Sequence, residues 1–244
     1  HAPNMTLIYE SGAVGAVPER VPPSIGDPAL VTGSLMVTSM ADIFQSFLQN
    51  GKIQVGFLGG AQVDKMGNIN TTAVGSYQAP KVRLPGSGGA CEIAIHAQRV
   101  LIITKLDKRA FPEKVDFVTS TGKRVKKIIT NMGILQPDET GEMVLTSLYP
   151  GVTFEAVQEN IGWKLKQNPA LTPVDLPHKD EIDPKYHFLC EAPKKDPDGR
   201  PAVIRYSRKT KEQYVQTEVD GKPTGWKAFY DGGKWKVEDK RQGA

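Results

Sequence analysis

Glu10 closes a short apolar run, Met5-Thr6-Leu7-Ile8-Tyr9, and opens the segment Ser11-Gly12-Ala13-Val14-Gly15. The run predicts a strand, and the glycines after it predict a break. A carboxylate delivered to that point stands at a sheet edge where a ligand can come close to the backbone, because Gly has no Cβ in the way. There it can attack an acyl group and carry it as a covalent intermediate. On spacing alone, a solvated glutamate after an edge strand is the reading these residues favour.

A second candidate lies at residues 80–95, Pro-Lys-Val-Arg-Leu-Pro-Gly-Ser-Gly-Gly-Ala-Cys-Glu-Ile-Ala-Ile. A glycine cluster here opens a helical pattern with Ile93, Ala94 and Ala97 on one side. Gly86, Gly88, Gly89 and Ala90 would let a bulky ligand touch the backbone, and free N–H groups ahead of a helix favour an anion or oxyanion. A glycine-rich turn before a helix is also common without any ligand. Cys91 follows directly and reads as a packed thiol. His96, on the same helix, reads as a packing or surface histidine rather than a base.

The elements that must position these residues follow from periodicity. Residues 17–33 are rich in Pro and Gly and predict a loop. Met40, Ile43, Phe44, Phe47 and Leu48 give the apolar face of a helix that Thr38 or Ser39 starts and Gly51 ends. Ile53–Leu58 and Arg99–Thr104 read as strands, with Lys126–Thr130 and Glu142–Leu148 as later ones. Phe154–Trp163 reads as a short helix with Thr153 as its cap and Gly162 at its end. Alternating strands and helices predict an α/β fold, an open and mostly parallel sheet flanked by helices. The turn-rich stretch Asp64–Asn68 has the look of a calcium loop but lacks the further acidic ligands of one.

Composition narrows the classes. The 244 residues carry a net charge of +4, with 39% hydrophobic and 24% charged residues, values of a globular chain with no charge excess to name a partner. Two cysteines, Cys91 and Cys190, stand far apart, which supports neither a disulfide framework nor a zinc site and predicts a cytoplasmic setting. No apolar run is long enough to span a membrane, and no leader pattern opens the chain.

After Val174 the pattern changes. Residues 174–201 are a proline-rich linker. Residues 202–244 alternate like a small antiparallel β domain, with strands at 202–206, 213–218, 226–230 and 234–237 and turns at Asp220-Gly221 and Asp231-Gly232-Gly233. Basic Arg205, Arg208, Lys209 and Lys211 are interleaved with Tyr206, Tyr214, Trp226, Phe229, Tyr230 and Trp235. Cations for phosphates and aromatic platforms for bases would make a single-stranded nucleic-acid site. The alternative is that the aromatics are the core of a minimal sheet and the charges solvate it.

Three motifs in order carry a family resemblance over residues 1–173: Tyr9-Glu10-Ser11-Gly12, Gly59-Gly60-Ala61-Gln62-Val63-Asp64-Lys65-Met66-Gly67-Asn68-Ile69-Asn70, and Leu84-Pro85-Gly86-Ser87-Gly88-Gly89-Ala90. Together they resemble the β subunit of family I CoA-transferases, in the glutaconate CoA-transferase branch. The resemblance implies that Glu10 attacks an acyl-CoA, passes through a mixed anhydride and becomes a glutamyl-CoA thioester. It also implies that Gly86, Gly88, Gly89 and Ala90 cradle the thioester side. CoA and acyl-CoA are then substrates rather than cofactors, and the partner is the family's α subunit. Relatives of this group usually carry a further strand and helix before the first motif, so the resemblance implies an N-terminally shortened sheet lacking one parallel neighbour. A ring-cleaving CoA hydrolase of the same family is disfavoured, because such relatives tend to lack the glutamate.

The tail resembles something else. Leu189–Asp198, Ile204–Val215 and Asp220–Tyr230 are similar to the C-terminal end of bacterial type IA DNA topoisomerase I. That resemblance implies a zinc-free accessory domain that contacts single-stranded DNA through Arg205, Tyr206, Arg208, Lys209, Tyr214 and Trp226, with no topoisomerase activity of its own. Two function classes are therefore carried forward. One is a CoA-transferase β subunit, and the other a nucleic-acid-binding module with an inactive passenger. Two unrelated resemblances in one chain fit a fusion better than one enzyme coupling the two chemistries.

Overall fold

The computed structural model describes residues 4–18, 22, 24–174, 197–198, 202–206, 213–219, 222–231 and 234–239. The chain divides into two compact units, Ala2–Asp175 and Leu176–Ala244.

The strand expected over Met5–Tyr9 does not form. The chain reverses at once instead. Tyr9 N–H donates to the Ala13 carbonyl at 2.9 Å, Gly15 N–H to that of Leu7 at 2.7 Å, and Gly12 N–H to that of Tyr9 at 3.0 Å. Hydrogen bonds that close within ten residues leave the run as one arm of a local turn, with a single bridge between Ile8 and Val14. Gly12 makes this possible at φ +117°, a conformation that a residue with a Cβ rarely adopts. Beyond the turn, β1 (Ala13–Val14) pairs with β2 (Met36–Val37). Within the proline-rich loop between them, Asp27 caps a 3-10 turn at Pro28–Val31.

Ser39 caps α1 (Met40–Asp42) by accepting the Asp42 N–H. The helix then widens into a π-helix, Ile43–Leu48, and Gly51 follows it at φ +69°. The expected helix is thus present with an unexpected winding. Gln49 N–H reaches the Phe44 carbonyl and Lys52 N–H that of Phe47, each five residues back.

Next come β3 (Val55–Leu58), the short hairpins β4 (Gln62–Val63) with β5 (Ile69–Asn70) and β6 (Ala73–Gly75) with β7 (Pro80–Arg83), then α2 (Ala90–His96) and β8 (Arg99–Ile103). The chain continues through β9 (Val125–Ile129), β10 (Gly133–Pro137), β11 (Met143–Leu148), α3 (Phe154–Glu159) and β12 (Gln167–Pro173). One six-stranded sheet runs in the order β12-β11-β10-β9-β8-β3. β3, β8 and β9 are parallel, β9, β10 and β11 antiparallel, and β11 and β12 parallel again. The sheet is therefore mixed. The β9–β10 connection is too short for a crossover and must be a hairpin; its turn is held by the Thr130 hydroxyl, which accepts the Met132 and Gly133 N–H groups. Thr153 caps α3 as expected, but the helix ends at Asn160 rather than Gly162.

α2 lies on the sheet through small residues. Ala94 and Ala97 are fully buried, and a Cβ on Gly56 of β3 would meet Ile93 Cγ2 at 2.5 Å and Ala97 Cβ at 3.2 Å. Gly56 lets the helix approach the strand, and this fixes where the helix begins. The core continues through Val100, Ile102, Ile128, Leu135 and Leu145. No helix among the described residues is long and apolar enough to cross a membrane.

In the other unit, β13 (Ala202–Tyr206), β14 (Gln213–Val219), β15 (Lys222–Asp231) and β16 (Lys234–Asp239) form one antiparallel meander in chain order. Its register sets Arg205, Tyr214, Phe229 and Lys236 in one cross-strand row. Trp226 and Ala228, one position out of phase with that row, are 2% and 0% exposed.

Candidate active site

The reversal that undoes the first strand places Glu10 well. Its half-buried carboxylate opens into a cavity of about 910 Å³ bounded by residues 4–10, the π-helix, β3 and Ser87–Ala90. A Cβ added at Gly89 would meet Glu10 Oε2 at 2.5 Å and would overlap the Phe44 ring edge. The carboxylate oxygen and the ring edge therefore stand side by side over Gly89. Among the described residues, Glu10 has neither hydrogen-bond nor ion-pair partner. Such a carboxylate is available for chemistry.

The glycine segment divides in two. Gly86 lies outside the cavity wall and acts as a hinge at φ +100°; its N–H donates to the Thr71 carbonyl, and its own carbonyl accepts from Thr71 Oγ1. Ala90 lines the cavity, but its N–H is already bonded to the Ser87 carbonyl. Gly88 and Gly89 line the cavity too, and their N–H groups have no acceptor among the described residues. Of the four residues expected to form a cradle, these two supply the open donors.

The middle motif is the frame. Asn70, fully buried, donates through Nδ2 to Gln62 Oε1 and the Ala73 carbonyl at 2.7 Å each, and accepts the Thr72 and Ala73 N–H groups through Oδ1. Gln62 in turn donates to Asp116 Oδ2. This network fixes Thr71, and Thr71 clamps Gly86 on both its backbone groups. Asp64, 3% exposed, accepts the Met66 and Asn68 N–H groups and the Asn68 amide, so the loop is closed by its own amides. Sequence reasoning singled out none of Gln62, Asn70, Thr71 or Phe44 as functional. The uncharged polar stretch Asn68-Ile69-Asn70-Thr71-Thr72 was the available signal for Asn70 and Thr71.

His96 pairs with Glu92 one turn back at 3.2 Å, and Glu92 also accepts from Gln49. Cys91 is half-buried and unbridged; Cys190 lies outside the described residues. The perturbed carboxylates stand at surface turns and caps. The Thr38 hydroxyl, then Ser39, lowers Asp42; the Ala110 and Arg109 amides lower Asp107; Lys65 lowers Glu113; and the Thr140 hydroxyl lowers Asp138. Their folded-state values lie below the unfolded ones. They therefore add stability at neutral pH that is lost as the pH falls through the folded values.

In the tail, Trp226 belongs to a core rather than to an exposed platform. Arg205, Tyr206 and Tyr214 lie on β13 and β14, and Arg208 and Lys209 fall outside the described residues.

Comparison with known proteins finds two separate matches. The family described as Coenzyme A transferase matches residues 1–160, and the one described as Topoisomerase I zinc-ribbon-like matches residues 199–239. The B subunit of the 3-oxoadipate CoA-transferase of Pseudomonas knackmussii is 46% identical over 197 residues, covering 72% of this chain and 76% of that protein. The crystal structure of glutaconate CoA-transferase from Acidaminococcus fermentans superposes with a TM-score of 0.63 at 31% identity, over 74% of this chain and 79% of that one. DNA topoisomerase 1 of Pseudomonas aeruginosa is 86% identical over 66 residues, 27% of this chain, but the match spans only 8% of the topoisomerase. Residues 199–239 contain neither Cys nor His, so that segment has no thiolate or imidazole of its own with which to close a tetrahedral zinc site. By its motifs, its mixed sheet and these relatives, the chain belongs to the coenzyme A transferase family, among its B subunits, with a topoisomerase I zinc-ribbon-like segment at its C-terminal end.

Proposed function

We propose that residues 1–173 form the β half of a heteromeric CoA-transferase that exchanges CoA between an acyl-CoA and a carboxylic acid, with Glu10 as nucleophile. The observation that carries this reading is the unpaired Glu10 carboxylate beside Gly89 in a cavity that also receives the Gly88 and Gly89 amides. Glu10 attacks the acyl carbonyl and expels CoA thiolate, leaving a mixed anhydride. The thiolate then attacks the glutamyl carbonyl, releasing the acyl group as a carboxylate and leaving a glutamyl-CoA thioester. An incoming carboxylate reverses both steps and leaves as its CoA ester. At each tetrahedral stage the developing oxyanion needs donors held in place beforehand, which the two glycine amides can supply. The CoA-transferase relatives are each named as the B member of a set of subunits, which supports a companion α subunit for this chain. The test is to co-express the chain with the α subunit of a CoA-transferase of this family, supply acyl-CoA, and analyse the peptides of the chain by mass. A CoA-sized addition on the Glu10 peptide is expected, and its absence under turnover overturns the mechanism.

A second, independent role for the tail rests on the row Arg205, Tyr214, Phe229 and Lys236. The register places two aromatic residues between two basic ones, the residue types that a surface for unpaired bases uses. The full chain is expected to bind oligo-dT weakly, with Kd on the order of 10⁻⁴–10⁻⁶ M, as for non-specific contacts. Anisotropy at about 50 and 200 mM salt should show binding that falls as salt rises. No binding at the lower salt would leave the row as solvated sheet surface.

A further inference from the structure

The π-helix forms one wall of the Glu10 cavity through Ile43, Phe44 and Leu48. Ile43 and Leu48 at its two ends are buried at 5% and 3% exposure, while Gln45 and Ser46 between them are exposed. A wider turn lets two buried anchors stand five residues apart on the core side. Phe44, next to the first anchor, is half-buried, and its ring edge and Glu10 Oε2 both border the position that a Cβ on Gly89 would take. Phe44 packs in part against the hydrophobic core, and the rest of its ring is left at the carboxylate. A phenyl ring there offers the carboxylate no hydrogen bond.

From this arrangement we infer that Phe44 is a positioning residue that keeps water from the acylated Glu10, and so decides between transfer and hydrolysis. The inference rests on the reading of Glu10 as nucleophile. A glutamyl thioester is open to two attackers. A carboxylate acceptor continues the exchange, whereas water adds to the same carbonyl, the C–S bond breaks, CoA leaves as the thiol, and Glu10 returns as a carboxylate. The second route consumes an acyl-CoA without making another. Any transferase of this kind must exclude water from the face of the carbonyl not covered by its oxyanion donors. In this chain the Gly88 and Gly89 amides hold one side, and the Phe44 ring edge stands beside the same carboxylate.

The test uses the full chain assembled with an α subunit of the family, in the series Phe44→Leu, Phe44→Val and Phe44→Ala. Two rates are read on each: CoA transferred to acceptor, and free thiol released without acceptor. The lifetime of the CoA adduct on Glu10 is followed by mass. The ratio of hydrolysis to transfer should climb stepwise as bulk is removed, by roughly tenfold overall, with a matching loss of adduct lifetime. Phe44→Leu should stay near the parent. A general loss of fold lowers both rates together and leaves the ratio unmoved, so it does not mimic this result. If Phe44→Ala fails to fold, Phe44→Val carries the comparison. A flat ratio and an unchanged adduct lifetime across the series overturn the role of Phe44 while leaving Glu10 as nucleophile. A parent that forms no adduct overturns both.

Discussion

Glu10→Ala is expected to abolish CoA transfer and to leave the unit folded. The turn that presents Glu10 is held by backbone bonds from Tyr9, Gly12 and Gly15, none of which uses the side chain. The carboxylate makes no hydrogen bond among the described residues, so its removal should change stability by no more than about 0.5 kcal/mol, as at an ordinary surface position. Activity behaves differently. Without an oxygen nucleophile there is no anhydride and no thioester, and the loss should be at least about 10⁴-fold in kcat. Glu10→Gln tests the same point with the volume kept. The amide fills the space over Gly89 but does not attack, and it should be as inactive as the alanine. Steady-state transfer and a thermal melt on the same preparation decide it. A transfer rate within about tenfold of the parent removes Glu10 from the mechanism.

The parts of this site that were legible in the sequence are those set by local chemistry. Glycines that must adopt left-handed backbone, such as Gly12 and Gly86, and caps such as Ser39 and Thr153, act within a few residues of themselves. Strands with apolar β-branched runs, such as β8, were equally plain. Met5–Tyr9 has the same composition, but whether such a run becomes a strand depends on a neighbour elsewhere in the chain; here the turn at 10–12 satisfied its backbone first. β10 and β12 escaped notice for another reason. Gly133-Ile-Leu-Gln-Pro and Gln167-Asn-Pro-Ala-Leu-Thr-Pro carry Gly and Pro where strand patterns exclude them, and both are recruited by pairing with β11. One antiparallel strand, β10, makes the expected mostly parallel sheet a mixed one, with three of its five pairings still parallel. The buried Gln62–Asn70 network was hidden because polar residues read as exposed until their partners, over fifty residues away in the case of Asp116, are known. Trp226 shows the same limit in the tail. Composition revealed that some aromatics must be core, and only the register and burial showed which.

Gly89→Ala is the sharpest probe of the geometry, because one methyl group separates site from scaffold. Gly89 has φ −83°, ordinary for any residue, so the substitution strains no backbone. The atoms nearest to a Cβ there are Glu10 Oε2 and the Phe44 ring edge, both at the far ends of side chains. The fold can therefore absorb the methyl by swinging the two side chains aside, and the melting temperature should stay close to that of the parent. The reaction cannot absorb it. Moving a nucleophile by about 1 Å from its attack position costs on the order of 10²-fold, and the methyl also narrows the approach to the Gly88 and Gly89 amides. Gly86→Ala is the contrasting case. It meets no atom within 4 Å but sits at φ +100°, so it strains the hinge rather than crowding the carboxylate. The expected pattern is a stable, nearly inactive Gly89→Ala and a less stable Gly86→Ala that keeps more of its activity per folded molecule. Transfer rates normalised to folded protein, alongside chemical denaturation, distinguish the two. Full turnover in Gly89→Ala would mean that Glu10 does its work from a position away from Gly89, and the glycine segment would then be no more than the turn that starts α2.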